Sequence, residues 1–512
     1  MAHARTHAVA VVGVEGHLVD VEADLAAGVP GLALVGLPDA SLTEARDRVR
    51  AALVNSGWSW PSRRITVNLS PAALPKGGAG FDLSIAVALL AAAGVIPREA
   101  LDDVVLVGEL ALDGRVRPVR GVLPAVLAAA AAGCGRVVVA AGDHAEASLV
   151  PGVAVLPAER LADLVTYLRG EAPLPEPPPG PAVLAEVSAV EPDLADVAGQ
   201  DQARHAVEVA AAGGHHMFLS GSPGVGKTML AERLPGLLPD LDEQAAFEVT
   251  AVHSVAGVLP PGVPMVTRPP FQSPHHTSSV VSVIGGGTGV VRPGAVSLAH
   301  RGVLFLDEAP EFAPAALETL RQPLESGRIT VRRSGLISVL PARFQLVLAA
   351  NPCPCGLGVS RALACTCTPM QKRRYSTRLS GPVLDRVDLR VEMQPPDLTA
   401  GRHDPSRREP SAVVAGRVAE ARDRARRRLS GTPWRVNGEV PGYQLRRRWP
   451  LPADLVAPVE AALMSGLLTA RGADRVLRVA WTLADLAGRD RPDVGDVGQS
   501  LVLRRPDSVV AA

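Results

Sequence analysis

Gly221-Ser222-Pro223-Gly224-Val225-Gly226-Lys227-Thr228 fits the pattern G-x-x-x-x-G-K-[ST] at every fixed position. The glycines let backbone N–H groups turn inward around phosphate oxygens, and a helix opening at the loop adds its positive end. An apolar strand pattern, residues 217–219, precedes the loop, and a helical pattern, residues 229–234, follows it. Lys227 would reach the β- and γ-phosphates as a compact charge, while Thr228 would ligate Mg2+. Further along, an apolar strand pattern over residues 302–306 ends in Asp307 and Glu308. Aspartate at a strand tip can hold the Mg2+ shell, and the glutamate can polarise a water for attack on the γ-phosphate. A third strand pattern, residues 345–350, ends in Asn351, whose amide either orients that water or is a plain turn residue before Pro352. In this order the three stretches read as an NTPase, with ATP and Mg2+ as cofactors.

Four of the five cysteines form a second constellation, Cys353-x-Cys355 and Cys365-x-Cys367, bracketing a nine-residue loop. Four thiolates suit a structural, tetrahedral Zn2+; reduced thiols without metal and an iron–sulfur cluster are the other readings. Because the cluster starts just after Asn351, a metal there would brace that loop and need not react. Cys134 reads as core. His275 and His276 suit a phosphate, a neighbouring subunit or an ordinary polar loop.

The elements that must position these residues fall into three blocks. A chain of 512 residues is too long for one core, and ~150 residues per domain argues for about three. The clearest seam is residues 171–192, with seven prolines in 22 residues, a semi-rigid spacer that can be neither helix nor inner strand. Before it, strand-like runs at residues 8–14, 33–35, 65–69 and 104–107 alternate with helical patterns at 42–56 and 83–93. Ser41 followed by Glu44 reads as a capping box for the first of these helices. A second α/β block, residues 193–395, carries the phosphate loop. Residues 396–512 read as helices, at 412–429, 452–465 and 471–487.

Acidic and basic residues balance at 52 each, and only Lys76, Lys227 and Lys372 are lysines among the basic ones. The balance hides a split. Residues 396–512 hold 20 Arg and 14 Asp or Glu, and the rest of the chain is acidic by the same margin. No global field therefore recruits nucleic acid or an anionic membrane. The N-terminus meets Glu15 before any long apolar run, making a poor signal peptide. The longest apolar stretch, residues 83–97, falls short of the ~20 residues that span a bilayer and reads as a buried helix. Five cysteines make no disulfide scaffold. These features predict a cytoplasmic protein with no membrane partner.

The chain resembles the YifB/ComM family of magnesium-chelatase-like AAA+ ATPases. The resemblance rests on PFQSPHHTSS (270–279), GAVSLAHRGVLFLDEAPEF (294–312), LRQPLESG (320–327), ANPCPCG (350–356) and LSGPVLDRVDL (379–389). In the first block it rests on VGLPDASLTEARDRVRAAL (35–53) and NLSPAALPKGGAGFDL (68–83). It implies a Lon-protease-like α/β domain over residues 1–170, an AAA+ P-loop domain with a parallel sheet, and a C-terminal helical lid. It further implies a homo-hexameric ring with ATP sites between subunits, acting as a helicase that drives branch migration of branched or single-stranded DNA in recombination or natural transformation. Asn351 matches the sensor-1 position and Arg386 the arginine finger that enters the neighbour's site. Arg471 best matches sensor 2, with Arg475 and Arg478 as alternatives.

Residues 326–339 read as a β-hairpin with Ser334-Gly335 at its turn, which in this clade projects into the ring's pore. Arg332 and Arg333 at its tip would meet DNA phosphates, repeated around the ring. Other basic clusters are Lys372-Arg373-Arg374, Arg446-Arg447-Arg448 and Arg426-Arg427-Arg428, where Arg422, Arg426 and Arg427 share a helical face. The first block resembles the Lon proteolytic domain, but Pro75-Lys76-Gly77-Gly78-Ala79-Gly80-Phe81 has no serine where that family's nucleophile stands, and residues 121–126 have no lysine. Without nucleophile or base there is no acyl-enzyme, so the domain reads as non-proteolytic, with Lys76 contacting phosphate or capping a turn. A chelatase-type motor is the runner-up reading. Its partner's metal-adhesion motif has only a near match here, Asp39-Ala40-Ser41-Leu42-Thr43, better explained as the helix cap. An ATP-dependent protease is the weakest reading.

Overall fold

The computed structural model describes residues 3–36, 44–176, 192–260, 263–287, 291–333, 336–357, 365–394 and 409–504. Ser41 and the stretch 39–43 lie outside the described residues, as do most of the proline-rich spacer and the Ser334-Gly335 turn.

The first domain is built on a seven-stranded mixed sheet. His3–Val12 and Glu15–Ala26 form a long antiparallel hairpin, and Arg64–Ser70 pairs antiparallel with the latter. Val104–Leu106, Arg136–Ala140 and Ala154–Ala158 extend the sheet in parallel from the other side of the hairpin. Along Glu15–Ala26 buried and exposed positions alternate, the pattern of a half-covered sheet. Asp82–Ala92, the longest apolar run of the sequence, is a helix buried at every residue. Helix Ala45–Asn55 follows Glu44, and the capping box expected of Ser41 and Glu44 falls outside the described residues.

The second domain has a five-stranded, wholly parallel sheet in the order Phe271–Gln272, Val303–Leu306, Gln345–Ala350, Met217–Gly221, Leu389–Met393. Its central strands are nearly all apolar, with Gln345 and Ser220 the polar residues among them, as strands covered on both faces are. The phosphate loop, Asp307-Glu308 and Asn351 follow the carboxyl ends of three adjacent strands, where parallel α/β sheets place their ligands.

Helices Ser411–Arg428, Gly442–Arg448, Ala453–Met464, Ala470–Leu486 and Val494–Leu503 make the C-terminal part. Val414, Val418, Ala421, Val479, Leu483 and Leu503 pack into the same core as Met217 and Leu219. The helical part is therefore seated on the ATPase-type sheet through the Asp201–Gly213 helix. A second core, built around Trp481 with Trp434 and Trp449 at its edge, holds the remaining helices together. Arg422 is inside this join: its guanidinium donates to Ala211 O at 2.8 and 2.6 Å, and burial pulls it down to about 10. Arg422 is thus tied to the backbone of helix Asp201–Gly213, apart from the exposed Arg426 and Arg427 whose helical face it was expected to share.

The first two domains touch at two places. Phe247 and Ala251 of helix Glu243–Ala256 join the apolar cluster of helix Val122–Ala131, and Gly121 N donates to Ser254 O at 3.2 Å. The Gly13-Val14 turn meets hairpin Arg328–Arg333/Leu336–Pro341, where Val14 packs into the core beneath it. No helix among the described residues is long and apolar enough to cross a membrane.

Candidate functional site

Gly226, at φ +94°, turns the chain into helix Lys227–Ala231, a conformation that favours glycine. Lys227 is buried beneath the loop and donates to Gly221 O at 2.6 Å, Ser222 O at 3.0 Å and Asn351 Oδ1 at 3.0 Å. Burial lowers its ammonium from the usual lysine range, while Asp307 and Glu308 pull the other way. Thr228 Oγ1 donates to Asp307 Oδ2 at 2.6 Å. The two residues expected to share Mg2+ thus stand side by side, and the loop lysine touches the residue expected to sense the γ-phosphate.

Glu308 has a left-handed backbone, φ +49°, uncommon for a residue with a Cβ and a form of local strain found at functional positions. Its N–H is held by Asp307 Oδ1 at 2.8 Å. Its carboxylate lies 3.4 Å from His276 Nδ1, and His276 stacks beside His275 at 4.1 Å between ring centroids. The sequence signals the histidine pair but not its partner, because Glu308 meets it only through the fold. Tyr375 is a second residue that sequence reasoning missed. It is buried, its hydroxyl hydrogen-bonds the Asn351 backbone, and burial pushes it up to about 12.

Arg386 is 5 % exposed. Its guanidinium is held by Glu325 and by Pro382 O, the latter at 2.6 Å, and its Nε has no partner. A finger reaching a neighbouring subunit would have to leave Glu325. Arg471 is 63 % exposed, with Asp385, the residue before Arg386 in the chain, 4.0 Å away. Arg475 is tied to Asp388 at 2.6 Å and to Asp385 O at 2.8 Å, and Arg478 to Gly438 O at 3.2 Å.

The four cysteine Sγ atoms all lie within 4.8 Å of one another, with Cys353–Cys355 at 3.3 Å, Cys355–Cys365 at 3.6 Å and Cys353–Cys365 at 3.7 Å. A tetrahedron with Zn–S bonds of about 2.3 Å has edges of about 3.8 Å, so the set can hold one metal ion. These separations exceed a disulfide bond, about 2.05 Å, and all four cysteines are free.

Arg332 is exposed on the hairpin, opposite Ile337; the side chain of Arg333 lies outside the described residues. Lys76 is 1 % exposed and donates to Gly36 O at 3.0 Å and to Pro71 O, so it caps a turn. Arg426 pairs with Asp423, Arg446 with Asp474, and Arg428 with Asp485 while lying 4.5 Å over the Trp481 ring. Much of the C-terminal basic charge is therefore committed within the chain.

Three segments match families described as magnesium chelatase subunit ChlI: residues 21–143 match subunit ChlI of Mg-chelatase, 193–400 the magnesium chelatase subunit ChlI family, and 408–504 its C-terminal family. A relative from Mycobacterium tuberculosis (strain ATCC 25618 / H37Rv) is 53 % identical over 505 residues, 99 % of each chain. YifB of Escherichia coli (strain K12) is 42 % identical over 486 residues, covering 94 % of this chain and 93 % of its own. Competence protein ComM of Haemophilus influenzae (strain ATCC 51907 / DSM 11121 / KW20 / Rd) is 41 % identical over 502 residues, covering 96 % and 95 %. With these likenesses running nearly end to end, and the Gly221–Thr228 loop, Asp307-Glu308 and Asn351 meeting at one parallel sheet, the chain belongs to the YifB/ComM family of magnesium-chelatase-like AAA+ proteins.

Proposed function

We propose that the chain is an ATP-hydrolysing ring motor acting on DNA in the cytoplasm. It assembles as a homo-hexamer and drives branch migration of branched or single-stranded DNA in homologous recombination or natural transformation. Its cofactors are ATP and Mg2+, with a structural Zn2+ in the thiolate cluster. The observation that carries the hydrolytic reading is the direct contact of Lys227 with Asn351 and of Thr228 with Asp307.

In this reading a γ-phosphate takes over donors that Lys227 gives to Gly221 and Ser222. Thr228 and Asp307 hold Mg2+, which when bound neutralises phosphate charge. Glu308, aligned by Asp307 and His276, accepts the proton of the attacking water while Asn351 orients it. Arg386 of an adjacent subunit, released from Glu325, neutralises charge developing on the transferred phosphoryl group. Two features support DNA as the partner: the exposed Arg332 on a two-stranded hairpin, and the likeness to a protein named for competence.

The runner-up is a chelatase-type motor that remodels a protein partner, favoured by the chelatase description of all three matched segments. A proteolytic activity is disfavoured, since no serine stands at the nucleophile position and residues 121–126 contain no lysine. ATPase rate with and without forked or Holliday-junction DNA separates the readings. We expect DNA to raise turnover several-fold, a fork to be moved only with ATP, and Lys227→Ala to abolish both with the fold intact. Turnover indifferent to DNA, with no junction moved, would leave the chelatase-type reading; ATP hydrolysis surviving in Lys227→Ala would overturn the site.

A further inference from the structure

The thiolate cluster is joined to the nucleotide site from two sides. Cys353 is buried two residues after Asn351, whose side chain receives Lys227. The turn closed by Gly356 N donating to Cys353 O, at 2.9 Å, brings Gly356 against the phosphate loop. A Cβ added at Gly356 would lie 2.5 Å from Pro223 Cγ and 2.7 Å from its Cδ, and Gly356 has φ +78°. Only glycine allows so close an approach without strain.

From the other pair, Cys367 leads directly into helix Pro369–Ser376, whose start is fixed by a capping box between Thr368 and Gln371. That helix presents Tyr375 to the Asn351 backbone. Just beyond it, Arg378 donates to Pro310 O at 3.2 Å and Glu311 Oε2 at 2.8 Å, in the segment after Glu308. The two cysteine pairs therefore end segments that touch the phosphate loop, the sensor and the acidic strand tip. Joined through one ion, these segments become one rigid body; without it, the described residues link them by weak thiol contacts and by Tyr375 on the Asn351 backbone.

We infer that Cys353, Cys355, Cys365 and Cys367 bind one Zn2+ per chain, and that this ion sets nucleotide affinity by locking Gly356 against Pro223 and Asn351 against Lys227. The zinc is structural: it has four protein ligands and no open position for substrate. Loss of outer-shell partners around a metal site costs ~10–100-fold in metal affinity or activity elsewhere. The inference rests on the nucleotide-site reading above.

The test uses the full chain purified without chelator, with elemental analysis for zinc and equilibrium binding of a fluorescent ATP analogue. About one zinc per chain is expected. Stripping it with a strong chelator should weaken analogue binding by at least ~10-fold, and adding back Zn2+ should restore it. The Cys355→Ser/Cys367→Ser double variant should lose both zinc and affinity. Gly356→Ala should keep zinc yet bind the analogue more weakly, which guards against a cysteine variant that merely misfolds. Zinc-free protein that takes up no added Zn2+ would overturn the metal site. Unchanged nucleotide affinity in the stripped protein or in Gly356→Ala would overturn the coupling. A zinc-loaded parent that binds no nucleotide would instead overturn the nucleotide site and leave the metal standing.

Discussion

Asp143 is 7 % exposed and accepts from Val119 N at 3.0 Å, at the edge of the loop that leads to helix Val122–Ala131. Burial pushes its carboxyl up to about 7, Val119 opposing and nearby Glu146 adding to the rise. An unfolded aspartate ionises near pH ~3.9. Between that value and about 7 the folded chain therefore keeps a proton that the unfolded chain has lost, and stability falls as pH rises through this window. Asp143→Asn holds the neutral form at every pH. Its advantage over the parent in urea unfolding should grow between pH 5 and pH 8, by about 3 kcal/mol at ~1.4 kcal/mol per unit up to about pH 7. An advantage that stays constant would show that the carboxyl ionises normally. Nothing in the sequence marks Asp143, because its burial comes from strands and helices distant in the chain. Lys227, Thr228, Asp307 and Asn351 were legible for the opposite reason: a phosphate site is built from strand tips and one loop, so its residues keep a recognisable order. Lys76 shows the limit of such reading, since an unusual lysine in a suggestive segment is spent on two backbone carbonyls.

Hairpin Arg328–Arg333/Leu336–Pro341 is the element on which the DNA reading turns. Its alternation and its Ser334-Gly335 dipeptide were enough to foresee two paired strands, and the register pairs Arg333 with Leu336. What alternation could not show is that the base of the hairpin leans on the first domain. Gly13, at φ +65°, ends the His3–Val12 strand, and a Cβ there would come within 3.0 Å of Val339 O. The first domain therefore touches the hairpin strand Leu336–Pro341 directly. Arg332→Ala should cut the DNA-stimulated rate and flatten its salt dependence, because each lost phosphate contact removes about one released counterion. Gly13→Val should lower DNA stimulation too, with Arg332 still in place, and leave basal ATPase near the parental rate. Stimulation unchanged by either variant would remove the hairpin from the DNA path. Other elements were missed because they lack a clean period. Strand Arg136–Ala140 is a short apolar run, which does not distinguish helix from strand, and helix Glu243–Ala256 buries Thr250, His253 and Ser254 among its apolar residues, which blurs its apolar face.

At the scale of the whole molecule, the step from the parallel sheet to the C-terminal helices is a change in secondary structure but not in packing. The helical part shares one core with the parallel sheet, so it moves with the sheet rather than as a loose cover. Arg386 and Arg471 are linked through Asp385, the residue before Arg386 in the chain. Asp385 accepts from Thr469 Oγ1 at 3.1 Å and lies 4.0 Å from Arg471, directly beside Arg386. Both arginines are separated in their contacts from the chain's own Lys227, whose partners are Gly221, Ser222 and Asn351. Action on an adjacent subunit's nucleotide would reconcile that separation with their motif positions. It can be decided by mixing two inactive variants, Lys227→Ala and Arg386→Ala. In a ring with head-to-tail interfaces, a site pairs the phosphate loop of one subunit with the finger of the next. Random assortment at equal amounts would rebuild about a quarter of the interfaces with both residues intact. ATPase activity should reappear on mixing, rise with subunit exchange and peak near equal proportions. If Arg386 served its own chain, every subunit in the mixture would still lack one residue, and no ratio would restore turnover.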